Sequence, residues 1–177
     1  MFKWLFLSSL FSLVAGCGDA SSTSAVNTTS ATPEAVANAL FLAVEDTDKV
    51  ATLLTTEAAV KASFECSAEG MSKLMEEFAN KKRRVLKNYG EWFQSKGGDS
   101  TYNGFVQKQE EIMPAGTSKN GCTLKEDVSM LLGMLDIKTT QNGKERPTPL
   151  YIELWRFNGQ YFLAGVIPEH DFLIQTP

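Results

Sequence analysis

The chain has 177 residues, 43% hydrophobic, 10% aromatic and 21% charged, enough for one domain with its own core and too little for two. Such an ordinary composition excludes a collagen-like, wholly disordered or multi-span membrane chain. A formal charge of -4 and a pI near 5.1 argue against a nucleic-acid binder, and one histidine with three cysteines leaves little material for a metal site.

Met1-Phe2-Lys3 opens the chain with a positive charge, and Trp4 to Val14 runs apolar apart from Ser8, Ser9 and Ser12. Small residues follow at Ala15 and Gly16. This is the layout of a secretory signal over residues 1–16, too short to span a bilayer as a helix. The segment Leu13-Val14-Ala15-Gly16-Cys17 resembles the lipobox of bacterial lipoproteins. The resemblance implies diacylglycerylation of the Cys17 thiol, cleavage before it, and acylation of the new amine. An ordinary signal peptide with a coincidental cysteine is the alternative. Two or more acyl chains hold a membrane stably where one does so marginally. Gly18 follows the cysteine and Asp19 comes one place later, whereas inner-membrane retention in that family calls for Asp directly after it. The expected location is therefore the bacterial envelope, at the outer membrane facing the periplasm.

Residues 17–32 carry Ser21-Ser22-Thr23-Ser24 and Thr28-Thr29-Ser30 without an aromatic residue. Such a stretch cannot offset its ordering entropy, so a tether is expected, reaching roughly 20 Å from the membrane. A single globular domain then occupies residues 33–177.

Thr32-Pro33-Glu34 reads as a helix start, with a hydroxyl cap, a proline at the first position and an early carboxylate. Val36, Ala37, Leu40, Phe41 and Val44 fall on one helical face. Asp46-Thr47-Asp48 breaks that helix and can cap a second, short one carrying Val50, Leu53 and Leu54. The third and longest is expected over roughly Ala68 to Phe93, with a stripe running from Met71 through Phe78 and Val85 to Phe93 and an end at Gly97-Gly98. Its basic run Lys81-Lys82-Arg83-Arg84 spreads around the helix, with Glu77 four residues before Lys81 for pairing on a solvated face. Lys82 is the exception, lying beside Phe78 and Val85. It either snorkels or lines a pocket.

The middle, 102–135, reads two ways. Thr123-Leu124-Lys125-Glu126 matches a capping box before helically spaced Leu124, Val128, Leu131, Leu132 and Leu135. Val128, Met130, Leu132 and Met134 also alternate as a strand would. Beyond it, Asn142-Gly143 predicts a hairpin, with Pro147 and Pro149 marking an edge or bulge. Leu150–Phe157 and Gln160–Ile167 flank Asn158-Gly159, the strongest short hairpin signal. A two-residue turn would pair Phe157 with Gln160, Trp155 with Phe162, Leu154 with Leu163 and Leu150 with Ile167. Tyr151, Trp155, Phe162 and Val166 would then share a face. The fold class is α+β, with N-terminal helices packed on a curved C-terminal antiparallel sheet.

The run Leu40-Phe41-Leu42-Ala43-Val44-Glu45-Asp46-Thr47-Asp48-Lys49-Val50-Ala51-Thr52-Leu53-Leu54-Thr55, with Leu154-Trp155-Arg156-Phe157-Asn158-Gly159-Gln160-Tyr161-Phe162-Leu163, resembles the nuclear transport factor 2-like superfamily. The resemblance implies a cone of helices packed into a curved sheet. That superfamily hosts enzymes, binding proteins and scaffolds, so it does not decide function.

Cys66 and Cys122 remain as an even pair in an exported chain and read as a disulfide, worth about 4 kcal/mol by loop closure. Two free thiols are the alternative. Lys82, Trp92, Tyr151, Trp155 and Phe162 are the candidate pocket-lining residues, core packing being the plainer role for the aromatics. No catalytic residue, metal site or cofactor is assigned. His170, beside Asp171, lacks a frame for acid–base work because adjacent side chains point apart.

The function expected is that of a non-enzymatic envelope lipoprotein, membrane-held by its lipid, that binds a small apolar ligand or an envelope partner protein. A periplasmic immunity or inhibitor protein is the alternative, followed by an enzyme with a cone-type pocket.

Overall fold

A computed structural model describes residues 31–43, 46–96 and 98–167. The signal segment, Cys17, most of the tether and His170 lie outside the described residues.

Thr32 caps α1 (Pro33–Leu42) through its hydroxyl, which accepts the Ala35 N–H. Asp46 caps α2 (Thr47–Thr52), its carboxylate taking two backbone N–H groups at 3.1 Å. Those bonds, with the Lys49 ammonium beside it, hold the Asp46 carboxyl below its ordinary range. An unanticipated helix, α3 (Glu57–Ser63), begins at a Thr56 cap and leads into β1 (Phe64–Cys66). The long helix is thus the fourth, α4 (Ala68–Lys96), started by the Ser67 hydroxyl on the Gly70 N–H.

Among the described residues every regular element after α4 is a strand. The two readings of the middle resolve in favour of alternation: β2 (Asp99–Met113), β3 (Ser118–Lys119), β4 (Cys122–Leu124) and β5 (Val128–Gln141). The capping box therefore starts no helix. Its Glu126 instead accepts the Asn158 N–H at 2.9 Å, tying β4 to the last hairpin. The chain continues through β6 (Lys144–Pro147), β7 (Leu150–Phe157) and β8 (Gln160–Ile167). Asn120-Gly121, Asn142-Gly143 and Asn158-Gly159 all have positive φ at both positions, the backbone that two-residue hairpins need.

The main sheet runs β2-β5-β7-β8, with β6 also on β5, and is antiparallel and curved. Register shifts at Asn103 and Lys108 bend β2. The exposed edge of β8 is closed by neighbouring backbone and side chains: Leu163 N donates to Leu53 O at 2.8 Å, and Asn88 Nδ2 to Val166 O at 2.8 Å.

One sheet face carries the main core. Leu131, Leu135, Ile137, Ile152 and Leu154 meet Val36 and Leu40 of α1, Val50 of α2, and Val85 and Tyr89 of α4, all nearly free of solvent. Tyr89 is the largest fully buried side chain among the described residues, and its hydroxyl donates to Leu40 O at 3.1 Å. Burial pushes its pKa up to about 12.

The β7–β8 register follows the expected pairs from Phe157↔Gln160 to Leu154↔Leu163, then slips. Ala164 is an extra residue, so Glu153 faces Gly165, Ile152 faces Val166 and Tyr151 faces Ile167. The expected Leu150–Ile167 pair is therefore not formed, and Val166 turns into the main core, away from Trp155.

Candidate functional site

On the opposite sheet face, near the β7–β8 turn, a second cluster forms from Leu124, Val128, Phe157 and Phe162. Its aromatic rings are in sequence contact: Phe162 with Phe157 at 6.1 Å, Phe157 with Trp155 at 5.9 Å, and Trp155 edge-on to Phe78 of α4 at 5.6 Å. Above this floor, the first half of α4 meets the turn of a small second sheet, β1-β4-β3, at its N-terminal end. Beyond that contact, helix and sheet flank a cleft of about 630 Å³.

Three features hold the outer wall in place. Cys66 and Cys122 face one another across β1 and β4 and are joined as a disulfide. Gly70 packs against the turn after β3, where an added Cβ would lie 2.6 Å from Gly121 O. Only a glycine lets helix and turn backbone approach so closely. Asn120 completes the seam by donating its side-chain amide to Glu77 Oε1 at 3.2 Å.

Exposure sorts the lining by chemistry. Phe64, Leu74, Phe78, Met113, Leu124 and Trp155 are buried or half-buried, whereas Glu77, Asn80, Arg84, Thr117, Lys119 and Asn120 are exposed at the mouth. Lys81 is the one charged residue of the lining that is half-buried. Its ammonium lies 3.9 Å from the centre of the Trp155 ring and 2.9 Å from Glu153 Oε1. The Trp155 indole N–H also donates to Glu153 Oε1. Glu153 has room because it sits opposite Gly165, where a Cβ would meet its carboxylate at 2.8 Å.

Of the five candidate pocket residues, Trp155 alone lines this cleft. Lys82 is exposed and borders a crevice of about 10 Å³, too small for a ligand. The lysine that α4 brings to the cleft is its neighbour, Lys81, which pairs with Glu153 and not with Glu77. Trp92 lines a separate, more polar cleft of about 460 Å³ and donates to Pro149 O at 3.2 Å. Tyr151 is half-buried opposite Met134, and Phe162 is buried in the second cluster. The signal that could have located the outer wall is Asn120-Gly121, a third hairpin dipeptide directly before Cys122.

Among the described residues no group of three or more His, Cys, Asp or Glu side chains is placed to hold a metal ion. No helix of the described residues is long and apolar enough to cross a membrane. No protein-family model, curated protein or solved structure matches the chain.

Proposed function

We propose that this chain is a bacterial envelope lipoprotein, anchored through Cys17, whose folded domain binds a small apolar ligand in the cleft between α4 and the β1-β4-β3 sheet. The observation that carries this reading is the cleft itself. Its volume of about 630 Å³ lies within the range of small-molecule sites, and its interior is apolar and aromatic with a few polar groups at the mouth. Binding without chemistry is the role proposed.

The test is mass spectrometry of the protein released from envelope membranes, first native and then denatured. An adduct that leaves on denaturation supports the reading and supplies the ligand's mass. A bare native protein that crosslinks in cells to an envelope protein would replace the ligand with a partner. The anchor has its own test: Cys17→Ser should abolish acyl labelling and membrane retention, and persistent acylation would refute it.

A further inference from the structure

We infer that the ligand of this cleft is a single-chain anionic amphiphile, a long-chain carboxylate whose hydrocarbon lies on Phe78 and Trp155 and whose head group meets Arg84 and Lys119. This rests on the proposed function and specifies its substrate class. The first support is the sorting of the lining, with apolar side chains inside and polar ones at the mouth. An interior of aromatic rings, leucines and a methionine offers a flexible chain dispersion contacts and few polar groups to desolvate.

The second support is charge. The mouth has two exposed cations on opposite walls, Arg84 on α4 and Lys119 on β3, against a single carboxylate, Glu77. Glu77 is already engaged by Asn120, and Lys81 is neutralised by Glu153. One positive charge is thus left over at the mouth, on a chain whose net charge is -4. An arginine fork on one wall and a lysine ammonium on the other can each donate to an anionic head group at the mouth. The volume of about 630 Å³ accommodates one acyl chain, and the lysophospholipid arm of the test decides the size of the head group.

The experiment is photo-crosslinking of the full chain in nanodiscs of zwitterionic lipid, with labelled peptides mapped. The probes are a diazirine-bearing fatty acid, the matching fatty alcohol and the matching lysophosphatidylglycerol. The expected result is fatty-acid labelling of the peptides that contain Phe78 and Trp155. At sub-saturating probe it should exceed alcohol labelling by about tenfold, the worth of one charge-assisted contact. Arg84→Gln with Lys119→Gln should bring fatty-acid labelling down to the level of the alcohol, with an unchanged circular dichroism spectrum and urea midpoint showing that the fold is kept. Equal labelling by acid and alcohol, insensitive to the two substitutions, would overturn the anionic head while the cleft stands as an apolar site. Stronger labelling by the lysophospholipid would overturn the carboxylate. No labelling of the cleft by any probe would overturn the proposed function as well.

Discussion

Lys81 and Trp155, 74 positions apart in the chain, are stacked with the ammonium 3.9 Å from the ring centre, and Glu153 anchors both. Side-chain exposures of 24% and 22% for Lys81 and Glu153 place this ion pair in a partly desolvated setting, where losing one partner strands the other. Lys81→Met should therefore destabilise by about 1–3 kcal/mol, and a double-mutant cycle with Glu153→Gln should show coupling of about 1 kcal/mol. Lys82→Met, at an exposed position, should be close to neutral. Urea denaturation of the four variants checks this.

Gly165 makes the room that Glu153 occupies. Gly165→Ala should push the carboxylate off the Lys81–Trp155 pair and cost about 1–3 kcal/mol. Indole fluorescence should shift with it, since the Trp155 N–H loses its acceptor.

Gly70 sets how close α4 comes to the β3–β4 turn. Gly70→Ala should cost about 1–3 kcal/mol, because backbone and not a side-chain tip must move. Amide exchange should accelerate in Cys122–Leu124 first and leave the β7–β8 hairpin protected.

The Cys66–Cys122 bond closes a loop with a sequence separation of 56. Replacing both cysteines with serine should lower stability by about 4 kcal/mol in the chain-entropy account. The change should appear in the denaturation midpoint, with ligand or probe binding lost before the main core unfolds.

Tyr89 carries a pH dependence. Its pKa is raised from 10.0 to about 12 by burial, so the folded state holds the phenolic proton more tightly than the unfolded chain does. The stability from this term is complete below pH 10 and is lost as pH rises toward 12. Tyr102 is pushed the same way, by burial and by the Glu34 carboxylate, so Tyr89→Phe should reduce the alkaline slope without removing it. Denaturation midpoints between pH 8 and 12 measure that slope.

Local chemistry was legible where neighbouring residues settle the backbone among themselves. The Thr32 and Asp46 caps and the Asn142-Gly143 and Asn158-Gly159 turns stand where their side chains and φ preferences place them. The α+β class and the disulfide partners were legible for the same reason: period, turn chemistry and an even cysteine pair need no distant contact to be read. What only the tertiary structure decided is which face each element offers and to whom. The middle became strand because Leu131 and Leu135 are buried by α1 and α4, a partnership the competing helical spacing of the same residues could not reveal. The extra residue at Ala164 turned Val166 into the core, since a one-residue slip reverses every later side chain in a strand. One helical step of about 100° separates Lys81, on Trp155, from Lys82, in water, and that choice depends on how α4 lies against a sheet whose Glu153, the partner of Lys81, comes 72 residues later in the chain. Caps and turns are decided within a few bonds, whereas a cleft exists only once separate elements have packed and left space between them.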